Sequence, residues 1–451
     1  MSLSPMTASA TAAGLPIPAP TRAQMMRLVV SLQRDPLTTY LRVRERYGDV
    51  VRMSGLNGQA WVFVAAPDAV AHVLQRNHTN YRRGALNRPF TRFLGAGLLT
   101  SEKAVWSVHR RIVSPYFRAE FQDDFVQEVW SACGDMLDGW QRAAADGRVL
   151  NICADLERLT LRTVLRGMFG IDLGPGDQPV LQALDNALVY VSRESFRMYP
   201  LPAWLNSRAR ARFDAEISLL DAVLGQAIAD RRAGGRRGDL LDALIEADLS
   251  EQAVRDEVVT MVHAGQHTVA SSIAFALYLL ARNPAAEECL RAELGRLGGR
   301  PPAAADLAAL PYLGQVVSET MRLYPPAWGG VRESIAEDDL GGYPVPAGTA
   351  VVFSQYVTHR HPDIWPSPGT FDPGRFSEKK LRGLPRFAYF PFGGGPHLCV
   401  GQPQALIELS IVIAMVLQRY RLSLPPGATV TPRALLDMVP AGGVPMRVAH
   451  A

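Results

Sequence analysis

Cysteine is scarce in this 451-residue chain, which holds only Cys133, Cys153, Cys289 and Cys399. None of them has the paired spacing of a zinc site or the clustering of a ferredoxin, and four scattered thiols build no disulfide framework. A reducing cytosol is therefore the expected compartment. Long apolar runs are missing too: no stretch offers the roughly 20 apolar residues that span a bilayer. The Ala-, Pro-, Ser- and Thr-rich start, Met1 to Pro20, lacks the charged head and apolar core of a signal peptide. No membrane anchor is expected, and the protein reads as soluble. Excess charge is absent as well. The 47 basic residues against 43 acidic ones leave +4, too little to argue for a nucleic-acid partner.

What is present is apolar material and helical periodicity. Hydrophobic residues make up 48% of the chain, enough for a large core. The 3.6-residue period predicts helices over about 101–117, 121–145, 155–169, 178–199, 207–232, 250–282, 284–297 and 313–324. A shorter helix is expected from Pro36 to Tyr47, with Asp35 as N-cap and Gly48 as stop. Val50–Met53 and Trp61–Val64 read as a hairpin around the turn signal Asn57-Gly58. The remaining β signals are short and lie near both ends. Residues 1–34 read as a flexible Pro/Ala-rich N-terminal segment and residues 35–451 as one domain, mainly α with small peripheral β-sheets. No repeat or long linker divides it.

The most informative run is Phe392-Gly393-Gly394-Gly395-Pro396-His397-Leu398-Cys399-Val400-Gly401. Consecutive glycines let a backbone lie close against a flat ligand, and a thiolate is a strong electron donor to a metal. The run resembles the haem-binding loop of the cytochrome P450 family, F-G-x-G-x-[RH]-x-C-x-G, at every fixed position. The resemblance implies the cytochrome P450 fold over roughly residues 35–450, with haem b (iron protoporphyrin IX) as cofactor and Cys399 as axial ligand. A thiolate in that place pushes electron density toward dioxygen. The Ala- and Arg-rich composition associates the chain with bacterial members.

Other family signatures fall into place around that loop. Glu319 and Arg322 share one face of a helix, and the family's pattern joins them to Arg375 in Phe371-Asp372-Pro373-Gly374-Arg375-Phe376 as a buried structural triad. Trp106 and Arg110 match W-x-x-x-R, which implies donors for the haem propionates; Arg332 and His397 are further expected donors. Phe392 and Gly401 complete the cofactor loop. The helix over 250–282 carries Ala264-Gly265-Gln266-His267-Thr268, similar to the family's oxygen-side segment. Gly265 is expected to permit close approach, and Thr268 to bond back to Ala264 and organise oxygen. His267 departs from the acid usual there. It reads either as a proton relay, with an unperturbed pKa near 6.5, or as a residue turned toward a protein partner while water supplies the protons.

By the same resemblance, substrate walls are expected from Phe90, Phe93, Leu98, Leu99, Phe196, Trp328 and Met438. These suit a lipophilic molecule held mainly by shape: a terpenoid, polyketide or fatty-acid scaffold, with secondary metabolism preferred. Arg82, Arg83, Arg88 and Arg92 either greet a carboxylate at the entrance or are solvated charges. The implied activity is a monooxygenase that inserts one atom of O2 into the substrate. The alternatives are a peroxide-using or non-hydroxylating haem-thiolate enzyme, and a non-catalytic haem sensor or carrier. With no flavin or iron–sulfur domain in the chain, electrons are expected from a ferredoxin and its NAD(P)H-dependent reductase. Arg111, Arg118, Lys379, Lys380, Arg382 and Arg386 form the docking face expected for an acidic partner. A monomer is expected.

Overall fold

The computed structural model describes residues 16–55, 60–84, 88–174, 178–195 and 203–451. Two helices form its middle, Glu251–Arg282 and Gln402–Arg419. Apolar residues surround both axes rather than forming a stripe, so each helix is buried on nearly every side. Ile152–Phe169 and Pro311–Leu323 pack against the Glu251–Arg282 helix, which is called the central helix below. Ser250 caps its start, its Oγ accepting the Ala253 N–H at 3.2 Å.

The largest sheet lies to one side and runs in the order Val50–Ser54, Ala60–Val64, Ala350–Phe353, Gly330–Ser334, Tyr81–Arg82. The first two strands are the expected hairpin, paired from Val50↔Val64 to Ser54↔Ala60; its turn, Asn57-Gly58, lies outside the described residues. Antiparallel pairing of Gly330–Ser334 with Ala350–Phe353 sets Arg332 opposite Val351. That register fixes Arg332 on a sheet wall rather than on a loose loop.

Three differences from the sequence reading bear on the fold. Residues 22–34, expected within a flexible N-terminal segment, form a helix that buries Met25, Val29 and Leu32. A capping box starts it: the Gln24 N–H donates to Thr21 Oγ1 at 3.4 Å, and the Thr21 N–H donates to Gln24 Oε1 at 2.8 Å. The helix expected over 101–117 is α-helical only from Lys103 to Val113, because Pro115 cannot continue the ladder and Ser114–Phe117 tightens to 3-10 form. A short helix, Leu240–Glu246, which the sequence reading did not expect, follows the helix Ala203–Gly234.

Candidate active site

A cavity of about 1000 Å³ separates the central helix from the cysteine loop. Phe392, Cys399 and Gly401 line one side; Ala264, Gly265 and Thr268 line the other. The loop is held by its own backbone, with the Cys399 N–H donating to the Phe392 carbonyl at 3.0 Å and Leu398 N–H to Gly395 at 3.1 Å. Gly395 has a left-handed φ of +67°, and a Cβ there would sit 1.9 Å from the Leu74 carbonyl oxygen. No side chain fits. Cys399 opens onto the cavity at the start of the Gln402–Arg419 helix. Burial raises its thiol pKa, while the backbone N–H groups of Gly401 and Gln402 and the charge of Arg110 favour the thiolate.

A positive cluster rims the same cavity. Arg83, Trp106, Arg110, Arg332 and His397 all line it. Trp106 and His397 lie ring against ring at 4.3 Å between centroids. Arg83 Nη2 is 3.5 Å from His397 Nδ1, and Arg110 donates to the Leu398 carbonyl at 3.0 Å. Burial depresses Arg83 and Arg332 to about 10, and with its cationic neighbours drives His397 down to about 3. Buried like charges are costly unless an anion joins them. A group with two carboxylates on its edge and a metal facing a sulfur fits these donors, as the two propionates and iron of haem do. Arg83, read from sequence as an entrance or solvated charge, is brought to this cluster by the strand Tyr81–Arg82 beside Arg332's strand.

On the central helix the Thr268 hydroxyl donates to the Ala264 carbonyl at 2.6 Å, and the helix stays continuous through that bond. Gly265 allows a close approach of protein rather than ligand: a Cβ there would fall 2.4 Å from Val164 of the Ile152–Phe169 helix. His267 does not line the cavity. Its buried ring turns to the other side, with Nε2 3.5 Å from Asp185 Oδ1 and Glu157 in the same group. This is the partner-facing arrangement of the two the sequence left open. Burial lowers the imidazole pKa to about 4, so it is neutral at pH 7.

The supporting triad is assembled behind the cysteine loop. Arg322 Nε and Nη2 donate to Glu319 at 2.6 and 2.8 Å, and Arg375 Nε stands 3.4 Å from the same carboxylate. Arg322 also donates to the carbonyls of His359, Pro368 and Thr370, and the Asp372 N–H donates to Glu319. Neither Glu319 nor Arg322 is exposed. One buried ion pair thus ties a helix to the irregular chain before the loop.

The family profile described as Cytochrome P450 matches residues 17–440. The chain belongs to the cytochrome P450 family. It is a P450 monooxygenase, with haem b held by Cys399 as thiolate ligand. Among relatives, "Cyclooctatin synthase" of Streptomyces melanosporofaciens is 31% identical over 421 residues, covering 90% of each chain. "Cyclooctat-9-en-7-ol 5-monooxygenase" of the same organism is 30% identical, covering 91% of this chain and 90% of its own. The crystal structure of the cytochrome P450DA heme domain shares the fold, with a TM-score of 0.88 and 24% identity over 97% of this chain and 98% of that one.

In this P450, four of the expected substrate residues line the cavity: Phe90, Leu98, Leu99 and Trp328. Phe93 and Met438 do not. The helix Arg88–Leu94 directs Phe90 to the cavity and Phe93 into the core, and Met438 is wholly enclosed. Phe196 lies outside the described residues. Sequence reasoning passed over His263 and Asp437, which do line the cavity. Their signal was a second histidine four residues before His267 and an acid in a hairpin turn, neither part of a motif. Among the described residues no helix is long and apolar enough to cross a membrane.

Proposed function

We propose that this P450 oxygenates a lipophilic cyclic molecule of terpenoid type in secondary metabolism, as a monomer served by a ferredoxin and its NAD(P)H-dependent reductase. The observation that carries the reading is a single cavity with Cys399 on one wall, Thr268 on the other, and aromatic and aliphatic side chains over the substrate side. The two Streptomyces relatives bear names from cyclooctatin chemistry, which supports the terpenoid class over polyketides and fatty acids.

When bound, the haem supplies a redox-active iron at which O2 is reduced by two electrons and two protons, one oxygen atom leaving as water and the other entering a C–H bond. The residues around it have separate tasks. Arg83, Arg110, Arg332, Trp106 and His397 would hold the haem propionates. Thr268 donates its hydroxyl proton to the Ala264 carbonyl and lines the cavity, which leaves its oxygen able to accept from water there. Apolar walls exclude bulk water and hold the substrate by shape. Arg111, Arg118, Lys379, Lys380, Arg382 and Arg386 are exposed, which supports an acidic redox partner steered by charge.

The test is turnover of cyclic terpenes with ferredoxin, reductase, NADPH and isotope-labelled O2. One labelled oxygen atom in the product supports the reading. Product formation with hydrogen peroxide but none with the electron-transfer chain overturns it.

A further inference from the structure

Among the polar side chains that line the cavity, His263 and Asp437 stand together. His263 lies on the central helix just before Ala264, and Asp437 lies in the turn between the strands Thr431–Ala434 and Met438–Ala441. His263 Nε2 is 3.5 Å from Asp437 Oδ2, and both side chains are almost enclosed, at 2% and 10% exposure. His263 Nδ1 and Asp437 Oδ2 have no hydrogen-bond partner among the described residues. Buried polar groups are nearly always satisfied, because leaving one unpaired forfeits its hydration.

The pair is held in place from several directions. Phe93 sets its ring edge against His263 at 5.3 Å, and His267 stands behind it at 5.8 Å. The turn bearing Asp437 is fastened by Met438 N–H to the Pro326 carbonyl at 2.8 Å and by Leu436 N–H to Ser192 Oγ at 2.7 Å. Trp328 Nε1 donates to the Leu435 carbonyl at 2.9 Å.

We propose that His263 and Asp437 anchor a hydroxyl group already present on the substrate. This rests on the reading of the cavity as a terpenoid-type site. A hydroxyl donates and accepts at once, which suits an imidazole beside a carboxyl. Burial holds Asp437 up at about 7 and His263 down at about 3, so near pH 7 the imidazole is neutral and the carboxyl keeps part of its proton, leaving both a donor and an acceptor for a hydroxyl. His263 and Thr268 are five residues apart, about 7.5 Å along the helix axis. A carbon held beside Thr268 would therefore lie several bonds from the anchored hydroxyl. An oxygenating or water-adding step must come before this enzyme to install that group.

Holoenzyme titrated by calorimetry and by its Soret shift with abietadienol against abietadiene, and with cedrol against cedrane, tests the anchor. In at least one pair the alcohol binds about tenfold tighter, equivalent to about 1.4 kcal/mol. His263→Phe and Asp437→Leu each remove that preference, read as the ratio of alcohol to hydrocarbon affinity within one variant, with haem content and the carbon monoxide spectrum preserved; Asp437→Asn keeps part of it. Equal affinity for alcohol and hydrocarbon, or a preference that survives both variants, overturns the anchor alone. If no member of either pair binds, the terpenoid reading fails and the anchor fails with it.

Discussion

Thr268 and His267 are neighbours in the chain and face different surroundings, because a helix turns about 100° per residue. Thr268 meets the cavity; His267 meets Asp185 and Glu157. Thr268→Ala is expected to lower product per NADPH severalfold and raise peroxide release, with haem content unchanged, read by coupled turnover. His267→Phe is expected to leave coupling and the solvent isotope effect near wild type; a raised isotope effect restores the relay reading. At this scale legibility followed contiguity. Cys399 could be found because its loop is one unbroken run, and Thr268 because its hydroxyl meets its own helix. The roles of Gly265 and Arg83 could not be found, since the first is set by Val164 and the second by Arg332 and His397, all distant in sequence.

Among the elements, the cysteine loop depends on the helix Pro311–Leu323 through the Glu319–Arg322 pair. Glu319→Ala leaves a buried guanidinium without its carboxylate, and is expected to cost about 3–5 kcal/mol. Denaturant melts and haem occupancy of the purified variant check this; wild-type values for both would show that the pair does not support the loop. The pair was readable because its spacing is local and Arg375 follows in a recognisable run. The helix from Arg22 to Arg34 escaped because Arg22, Arg27, Gln33 and Arg34 dilute its apolar face. Its capping box, Thr21 with Gln24, was the available signal.

At the scale of the whole molecule, several carboxyl groups are enclosed by the fold. Burial raises Glu257 and Glu408 to about 8, and Glu157 and Asp437 to about 7. Between pH 6.5 and 8 the folded chain keeps protons that the unfolded chain has released, so stability falls as pH rises. Below pH 6.5 the buried His263 and His267, held down at about 3 and 4, contribute the opposite slope, since the unfolded chain binds protons they refuse. Melting temperatures from pH 6.5 to 8 should decline, and Glu408→Gln should flatten the decline; an unchanged slope would show that Glu408 does not hold that proton. The mainly α architecture was legible from periodicity alone, whereas Glu157, Glu257 and Glu408 sit in helices and Asp437 in a turn whose sequences give no hint of their partners. Everything proposed for the cavity depends on the sulfur of Cys399. The most direct measurement is the absorption spectrum of freshly prepared, reduced protein with carbon monoxide. The strongly red-shifted Soret band of thiolate ligation, lost in Cys399→Ala together with turnover, is the expected result; a spectrum typical of histidine-ligated haem in active wild-type protein would contradict the account.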